Sequence, residues 1–80
     1  MASVSERLKK ITAEYFGVDE SKIEPSTNFI EDLNADSLDL VDFVLTLEEK
    51  FEITIPDEEA EKITTFQEAL DYVEEHAKEQ

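Results

Sequence analysis

Apolar side chains recur every three or four positions in three stretches of the chain. This spacing is typical of amphipathic helices, which bury one face against a core. We therefore predict long helices over residues 4–16, 37–51 and 66–77.

Residues with known capping preferences mark the ends of these helices. A serine or threonine followed three positions later by a glutamate satisfies two free amide groups at a helix start. This pattern precedes the first and last helices, at Ser3–Glu6 and Thr65–Glu68. Asp36 is a suitable N-cap for the second helix, and Gly17 can adopt the left-handed conformation that ends the first.

The segments between the long helices predict one short helix and one long loop. Residues 17–35 show no clean periodicity, although residues 29–33 could form a short helical turn. Residues 51–56 alternate apolar and polar side chains but have no partner strand, so we predict an extended connector before a short third helix over 57–62. The expected fold is all-α, a small four-helix bundle with a long loop between helices one and two, and residues 1–80 form a single domain.

The second helix carries two apolar stripes rather than one. The inner stripe is continuous at helical spacing and consists of Leu40, Phe43, Val44, Leu47 and Phe51. The outer stripe lies beside carboxylates and consists of Leu38, Val41 and Leu45. Periodicity leaves two interpretations of the outer stripe open: a second core face, or an exposed docking surface for a partner with a basic rim.

Composition narrows the classes of partner. The chain has 22 acidic and 7 basic residues and a net charge of −15, which argues against nucleic acid and anionic membrane surfaces and favours basic proteins. No basic residue occurs between Ile23 and Glu49. Self-association would bring two such charges together, so we expect a monomer. No apolar run approaches a membrane span, and the first residues lack the apolar core of a signal peptide, so we expect a cytoplasmic protein.

The chemistry that the chain could perform by itself is limited. It has no cysteine and one histidine, His76, which excludes a thiolate metal site, a multi-histidine metal site and a cysteine nucleophile. Ser37 lacks the glycines of a nucleophile elbow, and no base is at hand, so a serine hydrolase is not expected. An esterified phosphate on Ser37 would instead lie at a helix N-terminus, where anions are favoured.

A calcium loop is the one metal site that the sequence brings into question. Residues 32–36 match the first three ligand positions of an EF-hand. The sixth position, which requires glycine, is Ser37, and the twelfth, which requires glutamate, is Phe43. We therefore predict no dedicated metal site, although clustered carboxylates could bind divalent cations loosely.

The segment Asp32-Leu33-Asn34-Ala35-Asp36-Ser37-Leu38-Asp39 resembles the signature of acyl carrier proteins. The resemblance continues through Ile53-Thr54-Ile55-Pro56-Asp57-Glu58-Glu59-Ala60 and covers nearly the whole chain. It is closest to the free-standing carriers of dissociated (type II) fatty-acid synthesis. It implies a non-catalytic protein that carries fatty acyl chains as thioesters on a 4′-phosphopantetheine arm, which a phosphopantetheinyl transferase moves from coenzyme A to Ser37.

The resemblance also implies roles for the residues around Ser37. Asp36 and Leu38 flank the attachment site. The second helix would meet basic patches on fatty-acid synthesis enzymes through Asp36, Leu38, Asp39, Val41, Asp42, Leu45, Glu48 and Glu49. The acyl chain would be sheltered between the helices by Phe29, Leu47, Ile55, Ile63 and Ala69.

Three positions depart from the family pattern. Asn34 replaces a usual glycine, and asparagine is the next most tolerant of a left-handed backbone. Leu40 replaces a threonine or serine, and Leu45 replaces a frequent methionine, which affects the docking face or the acyl pocket. Three alternatives remain open: a carrier for polyketide, nonribosomal peptide or D-alanyl transfer, a calcium-binding protein, or an acidic interaction module with an unmodified serine.

Overall fold

The computed structural model describes residues 3–77 and contains four α-helices. They are α1 (Val4–Phe16), α2 (Ser37–Phe51), α3 (Asp57–Lys62) and α4 (Phe66–His76). The predicted all-α class and the bounds of the first three helices are confirmed, and α4 ends one residue earlier than predicted. Among residues 3–77 no helix is both long enough and apolar enough to cross a membrane.

Local capping interactions set the helix ends. Complete capping boxes join Ser3 to Glu6, Asp36 to Asp39, and Thr65 to Glu68. Gly17 ends α1 with φ +70°. The predicted caps are confirmed, and Asp36 forms a reciprocal box rather than a single bond. The sequence did not predict that Glu52, the residue that ends α2, also has a left-handed backbone, with φ +56°.

The long loop between α1 and α2 has more structure than its sequence predicted. It contains a 3₁₀ helix over Glu20–Lys22, which the periodicity missed. The predicted turn over residues 29–33 is a single hydrogen-bonded turn, in which the Asp32 amide donates to the Asn28 carbonyl at 2.8 Å. The side-chain oxygen of Asn28 accepts the amides of Ile30 and Glu31, at 2.9 and 2.8 Å.

Backbone pairing attaches this loop to the start of α4. Asn28 and Thr65 form an isolated antiparallel bridge. The Phe29 amide donates to the Thr64 carbonyl, and the Phe66 amide donates to the Thr27 carbonyl, each at 2.9 Å. This pairing was not predicted, because its partners are far apart in sequence. It holds the loop that leads to α2 against the start of α4.

The core lies between the inner stripe of α2 and the other helices. All five inner-stripe residues are buried, as predicted. An aromatic cluster joins α1, the long loop and α2, where the rings of Phe16, Phe29 and Phe43 have centroids 5.1 to 5.8 Å apart. Phe29 and Phe43 are fully covered. Their contact fixes the end of the loop against α2.

The connector between α2 and α3 is extended and held from two sides. The Glu48 carboxylate accepts the Ile55 amide at 2.6 Å, and the Tyr72 hydroxyl of α4 donates to the Thr54 carbonyl at 3.2 Å. These bonds satisfy backbone groups that a neighbouring strand would satisfy in a sheet. The structure assigns no secondary structure to residues 53–56, which agrees with the prediction of a connector rather than a strand.

Candidate functional site

Ser37 is the first residue of α2, and its side chain is exposed. The turn before it depends on Asn34, which has φ +58°, in the region that the sequence predicted. Ala35 is buried, with 4 % of its surface exposed, and its amide donates to the Phe29 carbonyl at 3.0 Å. The loop therefore fixes the chain immediately before Ser37 and leaves the serine at the surface.

Two of the four amides at the start of α2 have side-chain acceptors, and two have none within residues 3–77. Asp36 accepts the Asp39 amide at 2.9 Å, and Asp39 accepts the Asp36 amide at 3.3 Å. We find no acceptor within residues 3–77 for the amides of Ser37 and Leu38. Free amides and the helix dipole make this end of α2 favourable for an anionic group on Ser37.

The outer stripe of α2 is exposed. Leu38, Val41 and Leu45 have exposed fractions of 75 %, 52 % and 51 %. This rules out the interpretation of the stripe as a second core face. Two further large apolar side chains near α2 are exposed, Ile30 and Tyr15, and no sequence pattern marks them as site residues.

The predicted acidic residues of α2 fall into two groups. Asp36, Asp39, Asp42 and Glu49 are exposed. Glu48 is half-buried, and its carboxylate accepts the Ile55 amide. Glu48 therefore holds the connector in place, while the exposed carboxylates lie on the surface around the outer stripe.

A groove of about 780 Å³ runs beside α2 from Ser37 to the start of α3. Its α2 wall includes Leu40, Val41, Val44, Leu45 and Glu48. The opposite side is formed by Ile30, Ile55, Pro56, Asp57, Ala60, Glu61 and Thr64.

Only Ile55 of the five predicted pocket residues lines this groove. Phe29, Leu47, Ile63 and Ala69 lie in the core, each with 3 % or less of its surface exposed. Apolar periodicity identifies residues that face inward but does not distinguish a tightly packed interior from a cavity wall. The other groove residues were therefore not among the predicted pocket residues.

Tyr15, from the last turn of α1, lies beside the start of α2. Its hydroxyl donates to the Asp39 carbonyl at 3.4 Å, and its ring is 5.5 Å from that of Phe43. Partial burial raises the pKa of Tyr15 above its usual 10.0, and the negative charges of Asp42 and Asp39 raise it further. Tyr15 continues the helical spacing of Leu8 and Ile11 along α1, but nothing in the sequence indicates that it lies next to α2.

In the segment that resembles an EF-hand loop, residues 32–36, both carboxylates accept hydrogen bonds from backbone amides. Asp32 accepts the Asn28 amide at 2.7 Å, and Asp36 accepts the Asp39 amide. Ser37, where an EF-hand needs a glycine turn, is helical. Within residues 3–77 no three His, Cys, Asp or Glu side chains are grouped to hold a metal.

His76 is exposed on the last turn of α4. Its ring stacks on Tyr72, with centroids 4.0 Å apart, and Nδ1 lies 2.9 Å from the Tyr72 carbonyl. These contacts belong to α4 itself.

Residues 6–73 match the protein family described as "Phosphopantetheine attachment site". The match covers most of the chain. The chain belongs to this family. Its members are carrier proteins of the acyl carrier type, and they bear a covalently attached 4′-phosphopantetheine.

The geometry of this carrier protein fits that prosthetic group. An exposed hydroxyl is available at Ser37, two neighbouring amides have no acceptor within residues 3–77, and the groove begins at the same serine. The chain has no cysteine, so a thiol for thioester chemistry has to come from the attached arm. These features serve attachment and binding of the group, and neither requires a set of catalytic residues.

Proposed function

We propose that this carrier protein is modified at Ser37 and carries growing fatty acyl chains for the separate enzymes of type II fatty-acid synthesis. The observation that supports the proposal most directly is the exposed Ser37 hydroxyl at the first position of α2, beside an exposed apolar stripe edged with carboxylates. The resemblance of the whole chain to free-standing fatty-acid carriers favours this pathway over the other carrier pathways.

Attachment would form a phosphodiester at Ser37. The hydroxyl oxygen bonds to the phosphorus that bears the pantetheine arm, the bond to the nucleotide part of coenzyme A breaks, and the transferase takes the hydroxyl proton. The group then supplies a terminal thiol for thioester formation. Asp36 holds the first turn of α2 in place through the Asp39 amide, which leaves the Ser37 and Leu38 amides to face the phosphate.

The exposed face of α2 would dock the transferase and the synthesis enzymes. Leu38, Val41 and Leu45 supply apolar contact, while Asp36, Asp39, Asp42 and Glu49 supply charge complementary to basic surfaces. Glu48 would support docking indirectly, because its carboxylate holds the connector between α2 and α3 through the Ile55 amide. In this proposal the carrier presents its cargo and is not itself a catalyst.

The groove beside α2 is the first place where an acyl chain would be sheltered. It begins at Ser37, and apolar side chains line most of it. Ile55 lies at its connector end. Phe29, Leu47, Ile63 and Ala69 would contact the chain only if the helices moved apart, because all four are buried in the core.

Intact-mass measurement tests the attachment site. We expect the unmodified protein, incubated with coenzyme A and a broad-specificity phosphopantetheinyl transferase, to gain one phosphopantetheinyl group. Ser37→Ala should gain none while keeping its helical circular dichroism. Ser26→Ala, which removes another exposed serine, should be modified normally and is the matched control. Modification of Ser37→Ala, or none of a folded wild type, would refute the site.

Reconstitution tests the pathway. The modified protein is supplied to purified type II fatty-acid synthesis enzymes, and the chain length of its thioester is followed by mass. We expect elongation by two-carbon units. Modification at Ser37 without elongation, together with acceptance of an amino acid or D-alanine from the corresponding ligase, would assign the carrier to another pathway.

A further inference from the structure

Tyr15 places a partly exposed aromatic ring at the edge of the acidic part of α2. The ring packs on Phe43 and meets Phe16 edge-on, with centroids 5.5 and 5.0 Å away. A tyrosine that only filled the core would be covered on all sides, yet 37 % of the Tyr15 surface is exposed. The Tyr15 hydroxyl donates to the Asp39 carbonyl at 3.4 Å, which places it beside the α2 turn that carries Asp39 and Asp42.

At the other end of α1, an aromatic ring of α2 already binds a guanidinium group. There the Arg7 guanidinium lies 4.7 Å from the centre of the Phe51 ring and donates to the Lys50 carbonyl at 3.3 Å. We find no cation over Tyr15 within residues 3–77. No basic residue occurs between Ile23 and Glu49, so the segment that holds Asp39 and Asp42 supplies none.

The second tyrosine has similar neighbours but a covered ring. Partial burial raises the pKa of Tyr72, and the negative charges of Glu59, Glu48 and Glu75 raise it further. His76 stacks on the Tyr72 ring, with centroids 4.0 Å apart, and Tyr72 is less exposed than Tyr15. Tyr15 is therefore the tyrosine that combines flanking carboxylates with an accessible ring.

We propose that Tyr15, Asp39 and Asp42 form a subsite for an arginine side chain of the docking partner. The guanidinium would lie against the Tyr15 ring while its N–H groups bond to one of the two carboxylates. Arginine suits this site better than lysine, because its guanidinium is planar, weakly hydrated and able to make paired hydrogen bonds. The proposal deepens the docking role proposed above and rests on it for the identity of the partner.

Binding of short peptides to the unmodified protein tests the subsite. The probes are octa-arginine and octa-lysine, which carry equal charge, so their difference isolates the guanidinium. From the strength of exposed cation–π contacts, we expect octa-arginine to bind wild type about two- to fivefold more tightly at low ionic strength. Tyr15→Leu should abolish this preference, whereas Tyr15→Phe keeps the ring and should retain it. Tyr72→Leu is the matched control and should also retain it.

A site-specific signal accompanies the affinity measurement. We expect octa-arginine, more than octa-lysine, to shift the ring resonances of Tyr15 and the amides of Asp39 and Asp42 in NMR spectra. An arginine preference that survives in Tyr15→Leu, no preference in wild type, or shifts confined to other parts of the chain would each overturn the proposal. The wild-type ring signals test the subsite even if Tyr15→Leu fails to fold.

These outcomes are separable from those of the proposed function. The peptides bind a protein without a prosthetic group, so failure of Ser37 modification leaves the peptide result intact. Conversely, Ser37 modification with no arginine preference would keep the carrier function and reject the Tyr15 subsite.

Discussion

Replacing Leu47 or Leu45 with alanine tests whether the two stripes of α2 have separate roles. The two leucines are two positions apart and lie on opposite sides of the helix, because successive residues are rotated by about 100°. Leu47 is fully buried, whereas 51 % of Leu45 is exposed. The substitutions are chemically identical, so differences between the variants report on the two surroundings.

The structure gives different magnitudes for the two losses. Removal of a fully buried leucine costs about 2–5 kcal/mol. A domain of this length has an unfolding free energy of about 4–12 kcal/mol, so Leu47→Ala removes a large share of it. Half-burial of Leu45 contributes about 1 kcal/mol, and the higher helix propensity of alanine offsets a few tenths of that. We therefore expect Leu45→Ala to cost about 1 kcal/mol or less.

Urea denaturation followed by far-UV circular dichroism measures both values. With a slope of about 1 kcal/mol per M, the midpoint should fall by about 2 M or more for Leu47→Ala and about 1 M or less for Leu45→Ala. Leu45→Ala should nevertheless slow phosphopantetheinyl transfer at limiting protein concentration. Equal destabilisation by the two substitutions would show that the outer stripe supports the fold, and the docking interpretation would then be wrong.

Three further predictions concern stability. Gly17→Ala should cost about 1 kcal/mol, since its φ is +70° and an added Cβ would meet no atom within 4 Å, so the penalty is purely conformational. Glu52→Gly, at φ +56°, should raise the unfolding free energy by up to about 1 kcal/mol, whereas Glu52→Gln should not, which separates backbone strain from charge. Thermal unfolding measures all three variants. Stabilisation by Glu52→Gln alone would contradict the strain argument. Hydrogen bonds from the Thr64 amide and hydroxyl, then from Thr65, lower the pKa of Glu68 below 4.5. Because the folded-state pKa of Glu68 is lowered, its carboxylate stabilises the fold above pH 4.5, and this stabilisation is lost as the pH falls through the folded-state pKa. The unfolding free energies of wild type and Glu68→Gln should therefore converge on acidification. A constant difference down to acid pH would refute this assignment.

Only part of the site could be predicted from the sequence. The position of Ser37 on α2, the left-handed Asn34 and the two stripes of α2 all depend on residues within a few positions of one another. Tyr15 and Asp39 are 24 positions apart, and their contact depends on the packing of α1 against α2. The groove also depends on packing, because Ile30, Ile55 and Ala60 reach it from three separate segments.

The helix ends were predictable because capping is a local interaction. Each capping box joins residues three positions apart, so the sequence contains both partners side by side. The 3₁₀ helix and the Asn28–Thr65 bridge were missed for opposite reasons. The first is too short to show periodicity, and the second joins residues 37 positions apart.

The helices, their caps, the charge of the molecule and the serine that resembles the family's attachment site could all be predicted from the order of residues alone. Tertiary structure decided which apolar residues are exposed, which carboxylates are occupied by backbone amides, and which ring lies beside the docking face. The physical reason is that hydrogen bonding within a helix is local, whereas burial depends on the segments that pack against each residue. Leu45 and Leu47 are indistinguishable as residue types, and only the packing of α2 separates their environments.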